Sequence, residues 1–201
     1  MRCAEAFQQR GSHVRLDRLW RAEHANFATL LDLLERQLDL FHKGEKPDYE
    51  LMLDIMFYMT HYPDVLHHPK EDLACARIKE RDVNARPIVD ELTEQHARLK
   101  DFGDALVRAL DDIVNGSITA RDHVEVPGRA YVADFRSHML HEETAILPLA
   151  AKLLRDRDWA AIDAAIRHID DPLFGKHGEE RYAALRRQIA REARAPKAIT
   201  R

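Results

Sequence analysis

The chain has 201 residues, a length that suits one domain with a real core. Its 31 basic and 35 acidic residues give a formal net charge of −4, so we expect no binding to nucleic acid or to a membrane surface. No apolar stretch approaches the roughly 20 residues needed to cross a bilayer, and the N-terminus lacks the apolar core of a signal peptide. The two cysteines, Cys3 and Cys75, make no disulfide framework, which favours a cytoplasmic location. Only 7 Gly and 8 Pro favour long helices, and 12 His raise the question of where they lie.

The first predicted helix spans about residues 12–41. Apolar side chains recur there at three- and four-residue steps, the mark of one helical stripe. The second predicted helix covers residues 48–81, and Asp48 is a suitable N-cap. Pro63 lies inside this run and predicts a kink or a local break.

The third predicted helix covers residues 87–114, because Pro87 is a favoured first helical residue and Asn115-Gly116 is a stop signal. The fourth reaches about residue 154 from an N-cap at Ser117 or Thr119. Pro127 and its glycine neighbour predict an interruption near the start of this helix.

Four long helices with short loops indicate antiparallel neighbours, and no Val/Ile/Thr alternation suggests a sheet. We therefore predict an all-α fold, an antiparallel up-down four-helix bundle over residues 12–155. One or two extra helices form a C-terminal extension over residues 156–201, the second of them over 176–194. We expect this extension to pack on the bundle or at an interface with a second subunit, so a homodimer is one alternative.

Histidines and glutamates fall on the inward stripes of all four predicted helices. The first and third helices contribute one histidine each. The second and fourth each carry a His-x-x-x-Glu pair, whose members share one helix face. The set consists of His24, His67, Glu71, His96, His138 and Glu142.

The spacing within this set repeats along the chain. The two single histidines, His24 and His96, are separated by almost the same length of chain as the two His-x-x-x-Glu pairs. The chain therefore reads as two helical hairpins of the same layout, each with a single histidine on its first helix and a pair on its second. Packed about a pseudo-twofold axis, they would direct four imidazoles and two carboxylates at one point.

This donor set predicts a metal site. A buried carboxylate is costly to ionise unless it is paired or binds a metal. Imidazole and carboxylate together suit iron, manganese or zinc, and six protein ligands are too many for a structural tetrahedral zinc. They suit two metals that both carboxylates bridge, with a position open for a small molecule.

The residues resemble the hemerythrin-like family, also called the HHE cation-binding domain, over about residues 16–154. The most specific segments are Glu23-His24, residues 67–72 (HHPKED), residues 138–143 (HMLHEE) and Ile146-Leu147-Pro148. The resemblance implies a four-helix bundle that holds two iron ions and engages oxygen or related small molecules. It also implies that the six residues of the set are the ligands and that the two glutamates bridge the irons.

The sequence departs from the oxygen-carrying members of that family, which have a fifth histidine four residues from the one on the third helix. Here Leu92 and Lys100 occupy those positions around His96. A missing imidazole disfavours stable, reversible oxygen carriage and leaves oxygen, peroxide or nitric oxide chemistry, sensing or iron handling. The candidates to replace it are His61, His68 and His141.

We therefore expect a non-haem di-iron protein whose exogenous ligand is oxygen, peroxide or nitric oxide, for sensing, scavenging or stress protection. Manganese or zinc in place of iron is an alternative, because metal availability matters as much as ligand type. A di-iron oxidase or peroxidase-like enzyme is another, although the sequence shows no separate general base. A metal-stabilised, iron-sensing interaction module is a third. A metal-free bundle with a polar hydrogen-bond network is a fourth, which buried carboxylates make costly.

Overall fold

A computed structural model describes the backbone of residues 2–166 and 169–194 and the side chains of residues 18–166 and 169–191. The described part is helical and contains no β-strand. Its α-helices are α1 (Arg2–His42), α2 (Tyr49–Tyr62), α3 (His68–Arg81), α4 (Arg86–Val114), α5 (Asp122–His141), α6 (Leu147–Leu153), α7 (Asp156–Ala165) and α8 (Ala183–Arg194). No described helix is both long and apolar enough to span a membrane. The end of the predicted extension, residues 195–201, lies outside the described residues, as does the side chain of Cys3.

Two π-turns join successive α-helices into longer rods. Pro63–His67 connects α2 to α3, and Glu142–Ile146 connects α5 to α6. The chain stays helical through Pro63, because this residue is the first of a π-turn rather than a point of breakage. A proline also follows each π-turn by two residues, at Pro69 and Pro148. Since proline has no N–H, it cannot serve as donor in the α-helical ladder at these points, and a wider turn just before it is accommodated easily.

The predicted break near Pro127 is wrong, because α5 runs through it from Asp122 to His141. Proline near the start of a helix removes only one backbone hydrogen bond, and Pro127 is buried. Its neighbour Gly128 allows close packing rather than a break: a Cβ there would lie 2.8 Å from a methyl carbon of Leu38. The fourth helix also begins later than predicted, since residues 117–120 lie outside it. The first begins earlier, at Arg2, because the residues before 12 are mostly strong helix formers.

The long helices pack in a closed ring of neighbours. α1 contacts α2 and α5, and α4 contacts the same two helices. Ion pairs join the end of α1 to the start of α5, as in Asp39–Arg129 at 2.6 Å. They also join an earlier part of α1 to the residues just after α5, as in Arg21–Glu143 at 3.1 Å. α1 and α5 therefore meet with their sequence order reversed.

Two apolar clusters fill the interior, one toward each end of the long helices. Phe27 belongs to the larger cluster and Trp20 to the smaller one. The imidazole of His67 lies between them, with ring centroids 5.2 Å from Phe27 and 6.1 Å from Trp20. The polar residues of the interior thus occupy a layer between the two apolar clusters.

The described part of the C-terminal segment packs on the long helices of the same chain. Trp159 of α7 meets Trp20 edge to face, with ring centroids 5.9 Å apart. Farther along, Leu173 and Leu185 are buried in the larger apolar cluster. The hydroxyl of Tyr58 donates a hydrogen bond to Asp171 at 3.0 Å.

Candidate metal centre

The structure brings all six residues of the sequence-predicted set into the middle layer, and it adds His68. Their donor atoms form two groups, and within each group these atoms all lie within 4.8 Å of one another. The three-histidine group consists of His68, His96, His138 and Glu71. The two-histidine group consists of His24, His67, Glu71 and Glu142.

The end of the first π-turn and the start of α3 supply three of these side chains from one short segment. At 3.6 residues per turn, Glu71 lies about 40° around the helix from His67 and about 60° from His68 on the other side. Glu71 therefore stands between two adjacent histidines that both face inward. All three are buried, with 2%, 7% and 0% of His67, His68 and Glu71 exposed.

Each of the five histidines has an oxygen partner on its outer nitrogen. Because carboxylate and amide oxygens accept but do not donate, Nδ1 is the donor in the hydrogen bonds of His24, His67, His68 and His138. His96 and Asp72 lie at ion-pair distance. In the neutral imidazole, Nε2 then carries the lone pair and faces the centre of the site, as in metal-bound histidines held by an outer carboxylate. The Nδ1–oxygen distances are 2.9 Å for His24–Glu143, 2.8 Å for His67–Glu23, 3.0 Å for His68–Asp64, 3.5 Å for His96–Asp72 and 3.2 Å for His138–Gln95.

The two fully buried glutamates each face both groups. The distances from Glu71 oxygens are 2.7 Å to His67 Nε2 and 3.5 Å to His96 Nε2. The distances from Glu142 oxygens are 2.9 Å to His24 Nε2 and 3.2 Å to His138 Nε2. Each carboxylate therefore lies next to one histidine of each group, which is the position that a bridging ligand requires.

The charges of these buried side chains are unbalanced. Burial, and then the nearby charge of Glu71, raise the pKa of Glu142 well above its usual range. Burial also disfavours ionised Glu71, but the attraction of His67 outweighs it and lowers the pKa of Glu71. Burial likewise opposes the charged form of His67, yet Glu71 and Glu23 raise the pKa of that imidazole to about 9.

The site also holds buried polar atoms that lack a partner in hydrogen-bonding geometry. They include both carboxylate oxygens of Glu71 and Glu142 and the Nε2 atoms of His68, His96 and His138. Leaving so many buried acceptors unsatisfied is costly. Inward lone pairs and carboxylates are the donors that divalent transition metals take, so the residues present fit bound cations.

The sequence repeat extends to the outer partners of the histidines. Glu23 and Gln95 directly precede the single histidines of the two hairpins, and each accepts from the histidine of a His-x-x-x-Glu pair. Asp72 and Glu143 directly follow the two buried glutamates, and each lies next to a single histidine. Sequence reasoning missed these roles, although the partners obey the same repeat as the set itself.

The two hairpins differ at the positions of Asp64 and His68, which are hydrogen-bonded to each other in the first hairpin. His68 directly follows the histidine of the first His-x-x-x-Glu pair, and Met139 takes the same place after the second. The counterpart of Asp64, which holds His68, is Phe135. A hydrogen-bonded polar pair in the first hairpin is therefore an apolar pair in the second. This difference is why one group has three histidines and the other has two.

The other two candidates for a fifth histidine lie elsewhere. His61 is exposed and stacks on Phe57, with ring centroids 3.8 Å apart. His141 is half-buried, and its Nε2 lies 3.2 Å from the backbone oxygen of Ile88. Of the three candidates, His68 is the one that the structure brings into the metal-binding groups.

Fold and site together define an all-helical protein with a buried histidine and glutamate site for cations. The family model described as the Hemerythrin HHE cation binding domain matches residues 15–150, more than half of the chain. The chain therefore belongs to this family, and it binds metal cations. No curated protein and no solved structure gives a significant match.

Proposed function

We propose that the four long helical rods form an antiparallel up-down bundle that holds two iron ions between the hairpins. The convergence of five Nε2 atoms on two carboxylates, each facing both groups, carries this proposal. One cation would lie in each group, with both glutamates bridging. The ligands would be His24, His67, Glu71, His96, His138 and Glu142, with His68 as the seventh.

The two metal positions would not be equivalent. In the three-histidine group, three imidazoles and two bridging carboxylates leave little room for another ligand. In the two-histidine group, the sequence position that corresponds to His68 is Met139, so one coordination position would stay open. Phe27 and Phe135 lie in the same apolar cluster as Met139, which favours a small ligand of low charge there.

We infer that this open position binds or reacts with oxygen, peroxide or nitric oxide, in sensing, scavenging or stress protection. Iron, when bound, supplies the redox and Lewis-acid chemistry. The positive charge of bound cations would favour ionised carboxylates and neutral imidazoles, and the chain's apolar clusters would exclude bulk water from the site. With His68 as a fifth imidazole ligand, the shortage that disfavoured reversible oxygen carriage would not apply. Manganese and zinc fit the same donors, so metal identity is part of the test.

The test is the metal content and optical spectrum of protein purified without chelator, and of metal-free protein reloaded with ferrous iron without air. We expect about two irons per chain and near-ultraviolet charge-transfer bands that change on addition of oxygen, peroxide or nitric oxide. A His61→Ala variant is the control for loss of a histidine outside the site, because His61 is exposed on α2. It should keep the iron content and the spectrum of the parent protein. Failure of iron to bind or to stabilise the fold would overturn the proposal in favour of a metal-free bundle. Binding without ligand reactivity would favour an interaction module, and catalytic turnover of peroxide would favour an enzyme.

A further inference from the structure

Met139 carries an oxidisable thioether, a group that none of the proposed metal ligands has. It directly follows His138 on α5, and 8% of it is exposed. Four residues on, Glu143 lies against α1, with its carboxylate 2.9 Å from His24 Nδ1. Residues four apart share a helix face, so Met139 faces α1 as well, one turn away from Glu143.

The repeat places the thioether beside the two-histidine group. The counterpart of Met139 is His68, whose ring stacks on His96 with centroids 4.2 Å apart. The counterpart of His96 is His24. If the repeat in sequence is also a repeat in packing, Met139 would lie next to His24, at the position where the group lacks an imidazole. Phe27, from the same apolar cluster, lies 6.4 Å from His24 between ring centroids.

We propose that Met139 is a site of selective oxidation to methionine sulfoxide by a peroxide held at the two-histidine group. The inference rests on the proposed function, since it needs a peroxide at the open position. The O–O bond breaks, one oxygen forms a bond to the thioether sulfur, and the other leaves as water after protonation. The sulfur loses two electrons and the peroxide gains them, so no further reductant is needed.

The product would alter the wall of the site. A thioether is apolar and a poor hydrogen-bond acceptor, whereas a sulfoxide is polar and accepts strongly. In the cluster with Phe27 and Phe135, this change would admit water and weaken the apolar surroundings of the open position. Methionine sulfoxide reductases reverse the modification, so Met139 would record exposure to peroxide reversibly.

The chain contains its own reference methionines. Met52, Met56 and Met59 lie on α2 and are at most 1% exposed. Tryptic cleavage places all three in one peptide, residues 44–70, and places Met139 alone in residues 137–152. Oxidation can therefore be assigned by mass spectrometry of two peptides from one digest.

The experiment treats air-oxidised, iron-loaded protein and chelator-treated protein with equal, stoichiometric amounts of hydrogen peroxide. We expect the sulfoxide yield at Met139 to be at least about tenfold higher in iron-loaded protein, because a held oxidant has a high effective concentration. We expect no such dependence on iron in the α2 peptide. A Met139→Leu variant should keep its iron content and its spectrum while losing the added oxygen from residues 137–152.

The outcomes separate the two proposals. Iron binding and a spectral response to peroxide, with equal oxidation of Met139 in loaded and iron-free protein, would overturn this inference and leave the proposed function standing. Iron-dependent oxidation of the α2 methionines to the same extent would also overturn it, because the oxidant would then be diffusible. Failure to bind iron would overturn both.

Discussion

The two hairpins share one layout and differ at the position that, on the proposed function, decides access to the metal. In the first, His68 is held by Asp64 at 3.0 Å and adds an imidazole to the opposite hairpin's group. In the second, Met139 and Phe135 take the corresponding positions. On the proposed function, this repeated frame would provide two metal positions of similar layout, and one pair of side chains would make one position closed and the other open.

The outer partners differ between the hairpins in charge as well. His67 donates to the carboxylate Glu23, whereas His138 donates to the neutral amide of Gln95. Burial lowers the pKa of both imidazoles, but for His67 the two nearby glutamates raise it to about 9. For His138 burial prevails, and its pKa is lowered well below the usual value. We therefore expect His67 to be a more electron-rich ligand than His138. His67 belongs to the two-histidine group, which is the group with the proposed open position.

The largest expected effect is loss of both metals in Glu71→Gln. Glu71 belongs to both groups, so neutralising it removes negative charge from both halves at once. We expect iron per chain to fall from about two to near zero, measured by elemental analysis after gel filtration. Glu80→Gln is the matched control, because Glu80 is exposed on the same helix. Retention of both irons in Glu71→Gln would show that the halves do not share this ligand.

The comparison between His68 and Met139 is tested next by Met139→His. A third imidazole at the two-histidine group should fill the open position. We expect the iron content to stay near two per chain while the affinity of the ferrous protein for nitric oxide falls more than about tenfold. Optical titration with nitric oxide measures this affinity. Met139→Leu controls for loss of the thioether and should bind nitric oxide as the parent does. Unchanged binding in Met139→His would place the open position elsewhere.

Substitution of the outer partners of the histidines should have a smaller effect on metal affinity. Removing an outer partner of a metal-bound histidine typically lowers affinity by about 10- to 100-fold. We expect Glu23→Ala to fall at the upper end of this range and Gln95→Ala at the lower end, because only Glu23 carries charge. Competition with a metal-binding dye measures both variants. Equal losses would mean that charge on the outer partner does not distinguish the halves.

The smallest effects should come from the prolines after the π-turns. Pro69→Ala and Pro148→Ala each restore a backbone N–H, and we expect stability to change by less than about 1 kcal/mol in either direction. Only Pro69 adjoins a group member, His68, so metal affinity should respond more in Pro69→Ala. Urea unfolding of metal-free protein measures the stability, and dye competition measures the affinity. A larger affinity change in Pro148→Ala would contradict this assignment.

The sequence predicted the helices and the meeting of six side chains because both follow from periodicity. His24 and His96 lie on apolar stripes, and the His-x-x-x-Glu spacing fixes a shared face whatever the exact helix bounds. Helix breaks were harder to predict, because Pro63 and Pro127 are compatible with continued helix when a π-turn or a helix start lies nearby.

The role of His68 could not be settled from the sequence alone. It lies about 100° around an ideal helix from His67, at the edge of the inward face, and packing decides whether such a residue turns in. The structure shows that it does, because Asp64 accepts from Nδ1 and His96 stacks on the ring. The outer partners were missed for a related reason: Glu23 and Gln95 look like surface residues until the opposing helix is in place.

The most direct test of two unequal iron positions is a Mössbauer spectrum of protein loaded with isotopically enriched ferrous iron, before and after nitric oxide. We predict about two irons per chain in two quadrupole doublets of equal area, with nitric oxide altering one doublet far more than the other. A single iron per chain, or two irons that respond equally to nitric oxide, would contradict the division between a closed and an open position.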